Sequence, residues 1–180
     1  MSQERPGLLA QVRGDFEAHG RGFMHPGFHA LAVHRLGAWR RTLTGPARFL
    51  VSLIYRPLFI FVRNAYGIEL PDTTEIGSRV QIGHHNGIVI HPKAKIGDGC
   101  AIRQNCLIGS GTGAPGRYDD RAPVVGNDVV IGANVAIFGA ITIGDGARIG
   151  PGAVLTRTVP PGAVVVAPAP RVLGVGGDTR

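Results

Sequence analysis

From Leu70 to Val159 an aliphatic residue opens nearly every block of six. The blocks read LPDTTE and IGSRVQ, then IHPKAK, IGDGCA and IRQNCL, and later VGNDVV, IGANVA, IFGAIT, IGDGAR, IGPGAV and LTRTVP. Gly often follows the aliphatic residue. The fifth place is small or aliphatic throughout: Thr74, Val80, Ala94, Cys100, Cys106, Val129, Val135, Ile141, Ala147, Ala153 and Val159. Such a period is neither that of a helix, about 3.6, nor the alternation of an ordinary strand. It predicts a parallel β-helix, each block forming one flat side and three sides closing a coil of about eighteen residues. The opening aliphatic and the fifth residue then point inward. Gly, Asn or Asp takes the corner, where unusual backbone angles are needed. The pattern is broken twice. Extra residues surround His84, His85 and Asn86, and a polar insertion separates Gly109 from Val125. Breaks in a repeat are where functional residues are expected.

Upstream the spacing turns helical. Residues 5–21 place Leu8, Leu9, Val12 and Phe16 on one side. Pro26 suits the first turn of a second helix, over about 27–42, with Phe28, Leu31, Ala32, Arg35, Leu36 and Trp39 as its stripe. Gly45 and Pro46 end it. Residues 47–65, ARFLVSLIYRPLFIFVRNA, are the most apolar part of the chain. A spanning helix needs about twenty apolar residues, and this stretch carries Arg48, Arg56, Pro57 and Arg63. Packing against the base of the β-helix or against another subunit is the expectation. Lying on a membrane surface is the lesser alternative. Pro160 and Pro161 cannot extend a strand ladder and should blunt its end. The expected division is a helical N-terminal segment, 1–66, a β-helix, 67–160, with an inserted loop at 110–123, and a C-terminal extension, 161–180.

Composition sharpens this. The chain has 180 residues, 28 of them Gly, and a net charge of +7. An acidic partner such as a phosphate-bearing cofactor or substrate fits that charge. The basic residues form no long run, which argues against nucleic acid. The two cysteines, Cys100 and Cys106, fall at inward fifth places and read as core residues rather than a disulfide or metal pair. The His and Cys spacings match no usual zinc pattern, so no metal is expected. The N-terminus reads without a signal peptide, and a cytoplasmic protein is expected.

Three stretches carry a family resemblance. PGFHALAVHRLGAW, from Pro26 to Trp39, the segment IGHHNGIVI, and IGANVAIFGAITIGDGARIGPGAV with the later PAPRVLG resemble the serine O-acetyltransferases and their relatives among hexapeptide acyltransferases. The resemblance implies a mainly β fold, a left-handed parallel β-helix behind a short α-helical segment. It also implies a homotrimer, alone or paired into a dimer of trimers, with acetyl-CoA bound between neighbouring subunits. In register, the family's catalytic His falls on His84, which would act as general base on an acceptor hydroxyl, help worth about 10²–10⁴ in rate. Glu69 stands where the family has the carboxylate that orients that imidazole. His85 and Arg121 would line the acceptor site, Arg121 pairing a carboxylate or phosphate. For the donor, Gly109, Ser110, Gly111, Ala133, Gly139 and Gly150 would let the pantetheine arm approach the backbone. Arg148 and Arg171 would meet the CoA phosphates. The plain reading of each Gly or Ala is a corner or core requirement.

Two departures bear on the acceptor. Gly83 stands where serine acetyltransferases carry an acidic residue that contacts the amino acid. Arg121-Ala122-Pro123 stands where they carry Arg-His-Pro, after a longer loop containing Arg117, Tyr118, Asp119 and Asp120. These departures resemble the branch associated with exopolysaccharide or other secondary biosynthesis. The expected activity is acetyl transfer to a hydroxyl of serine, a serine-like molecule or a sugar metabolite. An amine acceptor and a non-catalytic scaffold are the alternatives.

Overall fold

The computed structural model describes residues 7–111 and 121–169. Among these residues, helices α1 (Leu8–Ala18), α2 (Pro26–Arg40) and α3 (Gly45–Tyr66) precede fourteen short strands. Sheet A stacks β1 (Ile68–Glu69), β4 (Ile88–Ile90), β7 (Leu107–Gly109), β10 (Ala136–Phe138) and β13 (Val154–Leu155). Sheet B stacks β2 (Glu75–Ile76), β5 (Lys95–Ile96), β8 (Val124–Val125) and β11 (Thr142–Ile143). Sheet C stacks β3 (Gln81–Ile82), β6 (Ala101–Ile102), β9 (Val130–Ile131), β12 (Arg148–Ile149) and β14 (Val164–Val165). Every pairing is parallel, and the chain visits C, A and B in turn, which is a left-handed parallel β-helix. After Val159, where the hexads stop, the chain still adds β14 to sheet C.

Register explains the two interruptions. Ala136 lies opposite Val154 and Val130 opposite Arg148, residues eighteen apart. Ile68 lies opposite Ile88 and Gln81 opposite Ala101, twenty apart, so the coil containing His84 and His85 is two residues longer. Leu107 lies opposite Ala136, a spacing that absorbs the inserted loop.

The inward residues form one column. Every fifth-place residue named above is buried, as are the opening aliphatics Ile82, Ile96, Ile102, Ile108, Ile131, Ile137, Ile143 and Ile149. Burying each such side chain contributes about 1.5–3 kcal/mol. Cys100 and Cys106 sit in this column, and their thiols donate to the Gly126 and Gly132 carbonyls at 3.0 and 3.1 Å. Burial pushes the Cys100 thiol up to about 11.

The corners follow from the fourth place, where Arg79, Asn105, Asp128 and Asn134 all adopt left-handed φ between 53° and 59°. Gly at the second place is steric. A Cβ on Gly97 would lie 2.5 Å from the Gly126 carbonyl oxygen of the next coil. At the third place, side chains link coil to coil. Asp98 accepts from the Ser78 N–H at 2.6 Å, Asn127 from Asp98 at 2.9 Å, and Asp145 from Asn127 at 2.7 Å.

Helices α1 and α2 cover the first coil. Arg35 is buried and donates through Nε to Asp15 at 2.9 Å and through Nη1 to the Ile76 carbonyl at 2.8 Å. Burial pushes the Asp15 carboxyl up, against the pull of Arg35. Trp39, expected on the buried stripe of α2, is 40% exposed. Helix α2 is enclosed on several sides, so Ala30, Val33, His34 and Gly37 are buried as well and burial does not follow one stripe. Helix α3 meets α2 and β1 along one edge, through Tyr55 and Val62. Packing against the base of the β-helix holds for that edge. Phe49, Leu50, Leu53, Ile54, Ile60 and Phe61 remain exposed. By length and composition alone α3 could also cross a membrane.

Candidate active site

The lengthened coil turns its corner through a run of left-handed residues: His84 at φ 61°, Asn86 at 87° and Gly87 at 68°. Positive φ is uncommon for any residue but Gly, and conformations of this kind collect at functional sites. The corner throws His84 and His85 outward, where both are exposed. They open on a cavity of about 300 Å³ between this corner and the helical cap, lined also by His19, His25, Pro26, Gly27, Gln81, Ile82, Gly83 and Arg103.

The cap is held tightly against this wall. A Cβ on Gly27 would lie 2.8 Å from the Ile82 Cβ and 2.9 Å from its carbonyl carbon, so only Gly allows α2 to start there. His19 is buried, with Nδ1 2.7 Å from the Asp15 carbonyl and Nε2 3.1 Å from the Ile82 N–H. The carbonyl can only accept and the amide only donate, so His19 is neutral with its proton on Nδ1. On the other side Tyr66 meets the His85 ring edge-on, centroids 6.0 Å apart. His29 orients Tyr66. Its Nε2 donates to the Phe23 carbonyl at 2.5 Å, leaving Nδ1 to accept the Tyr66 hydroxyl at 3.0 Å.

Glu69 is exposed on β1, in sheet A, with Val89 opposite. Among the described residues no hydrogen bond joins it to His84. Arg121 is exposed at the end of the inserted loop. Residues 117–120 and Arg171 lie outside the described residues.

The small residues expected to meet the donor fall at the two margins of sheet A. At the margin shared with sheet B, Gly139 donates to the Gly109 carbonyl at 3.1 Å, and a Cβ on Gly111 would lie 3.3 Å from the Gly139 Cα. Ser110 lies between those glycines in the chain and is half-buried. At the margin shared with sheet C, the Ala133 carbonyl accepts from Gly152 at 2.9 Å, and Gly150 donates to Val165 at 2.7 Å. Arg148 is exposed on β12, with Val130 and Val164 on either side. Among the described residues no group of three or more His, Cys, Asp or Glu is placed to hold a metal ion.

His19, His25, Gln81 and Arg103 line the cavity although neither the repeat pattern nor the family resemblance singled them out. The signal for Arg103 was in the register: Ile82 lies opposite Ile102, so Gly83 is stacked beside Arg103. A Cβ on Gly83 would lie 3.1 Å from the Arg103 Nη1.

Comparison with known proteins matches residues 122–157 to the bacterial transferase hexapeptide model, six repeats. The serine acetyltransferase of Mycobacterium tuberculosis is 39% identical over 152 residues, covering 84% of this chain and 62% of that protein. That of Escherichia coli K12 is 34% identical, covering 82% and 51%. The Helicobacter pylori serine acetyltransferase is 36% identical over 143 residues, covering 79% and 78%. Among solved structures, soybean serine acetyltransferase aligns at 28% identity with a TM-score of 0.74, covering 93% of this chain and 69% of that one. The chain therefore spans little more than half the length of several curated relatives. The hexads, the lengthened corner at His84 and these matches together show that the chain belongs to the serine acetyltransferase family.

Proposed function

We propose that the protein transfers an acetyl group from acetyl-CoA directly to a hydroxyl of a small acceptor: serine, a serine-like molecule or a sugar metabolite. The observation that carries the reading is the position of His84, on a left-handed corner of the lengthened coil and open to a cavity, in a chain of this family. A neutral His84 imidazole takes the acceptor hydroxyl's proton as the oxygen attacks the thioester carbon. The C–S bond then breaks, the acetyl ester leaves with the acceptor, and the CoA thiolate receives the proton. Such help is worth about 10²–10⁴ in rate. Glu69 steadies the imidazolium, and backbone N–H groups stabilise the oxyanion. His85 and Arg121 contact the acceptor. Gly109, Ser110, Gly111, Gly139, Ala133 and Gly150 leave room for the pantetheine arm, and Arg148 with Arg171 meets the phosphates.

Serine as one acceptor is supported by the soybean relative, whose structure was solved in complex with serine. Hexapeptide transferases oligomerise, and the reading includes a homotrimer.

The test is His84→Ala. CoA release with serine, homoserine and nucleotide sugars should fall by at least about a hundredfold, while melting temperature and acetyl-CoA affinity hold. Full turnover in the folded variant would sink the proposal. An amine panel run beside the hydroxyl panel separates O- from N-acetylation.

A further inference from the structure

The charge of the His84 cavity is one-sided. Among the described residues its lining contains one guanidinium, Arg103, four imidazoles and the neutral amide of Gln81, and no carboxylate. Arg103 is exposed, and a guanidinium carries its charge throughout the working pH range. Its guanidinium lies along the side-chain-free face of Gly83, one residue before His84. Any side chain at position 83 would press on that guanidinium, so Gly83 keeps Arg103 open to the cavity.

His19 does not add to the positive charge, because both ring nitrogens are committed to backbone partners. Among the described residues Arg103 is therefore the fixed charge lining the cavity. A guanidinium forms paired hydrogen bonds with planar carboxylate or with phosphate oxygens.

Resting on the acyl-transfer reading for its chemistry, we infer that this cavity selects an anionic acceptor. Arg103 grips a phosphate or carboxylate of the molecule whose hydroxyl faces His84. An acceptor presenting an ammonium group there meets repulsion. Arg103 is thus a specificity-determining residue, and free serine, with its ammonium, is a poorer acceptor than a hydroxy acid or a phosphorylated alcohol.

The experiment measures kcat/KM for five acceptors on the full chain: glycerol, sn-glycerol 3-phosphate, D-glycerate, L-serine and ethanolamine. Calorimetric binding of glycerol 3-phosphate and of glycerate is measured alongside. Wild type should prefer an anionic acceptor over glycerol, and the phosphate and carboxylate arms tell which anion fits. In Arg103→Gln that preference should shrink by about ten- to a hundredfold, the usual weight of a hydrogen bond to a charged group. Gly83→Asp, which sets a carboxylate against Arg103, should shrink it as well. Arg103-dependent anion binding with no acceptor acetylated would uphold the anion site and count against acyl transfer to these five acceptors. Glycerol, serine or ethanolamine used as well as the anions, or an equal loss on all acceptors in Arg103→Gln, would overturn the inference and leave acyl transfer standing. Failure of the anions both to bind and to react would overturn it too.

Discussion

Acid should destabilise this fold through one buried imidazole. His34 is 2% exposed, its Nε2 donates to the Thr74 carbonyl at 3.0 Å, and its Nδ1 has no hydrogen-bond partner among the described residues. Burial first, and the neighbouring Arg35 charge second, lower its pKa from 6.5 to about 4. The folded state thus holds His34 neutral, while the unfolded chain takes up a proton below pH 6.5. Stability is complete above that value and falls as the pH drops from 6.5 towards 4. Linkage gives a loss of about 2 kcal/mol at pH 5 and about 3 kcal/mol below pH 4. Asp15 works in the opposite sense, since its raised pKa favours the folded state at low pH. The clean measurement is therefore a difference. Urea unfolding of wild type and His34→Gln is followed by circular dichroism at pH 7.5 and pH 5. The Gln amide can still donate to Thr74 and does not titrate. Wild type should lose about 2 kcal/mol more than the variant between the two values. Equal losses would refute the assignment.

Other consequences can be checked in parallel. Gly27→Ala forces a Cβ against Ile82 and should cost about 1–3 kcal/mol by overpacking, lowering the melting temperature and, because Gly27 lines the cavity, acetyl transfer with it. Asp15→Ala strands the buried Arg35 charge and should cost about 3–5 kcal/mol in urea unfolding. Glu69→Gln removes the proposed partner of His84 and should lower kcat by at least about tenfold with KM for acetyl-CoA unchanged, whereas an unaltered kcat removes Glu69 from the mechanism. Neither thiol should react with a thiol reagent until the chain unfolds, since Cys100 and Cys106 are buried with raised pKa values. Rapid labelling of the native protein would contradict the core placement.

The β-helix was legible because the same small set of residues must recur at each side of a coil. Ile96, Cys100, Ile102 and Cys106 could be placed inward from spacing alone. The break at His84 was legible for the same reason. The helical cap was less so. Trp39 was misplaced because α2 is surrounded, and a helix buried on several sides leaves no polar stripe to read. The walls of the cavity come from residues distant in sequence, such as His19, Gln81 and Arg103. The hexad register would have brought Arg103 beside Gly83, but nothing in the sequence says that His19 caps the Ile82 amide. That contact depends on how α1 docks.

The side-chain links at the third corner place run in one direction. The Ser78 amide is satisfied by Asp98, that of Asp98 by Asn127, and that of Asn127 by Asp145. During synthesis the N-terminal coil leaves the ribosome first. Its corner amide then waits for an acceptor that has not yet been translated, and each nascent coil is completed one turn late. The side-chain series stops at Asp145: Pro161 packs against Gly144 in the corresponding place, offers no side-chain acceptor and has no N–H of its own to satisfy. The last coil can therefore close without a successor.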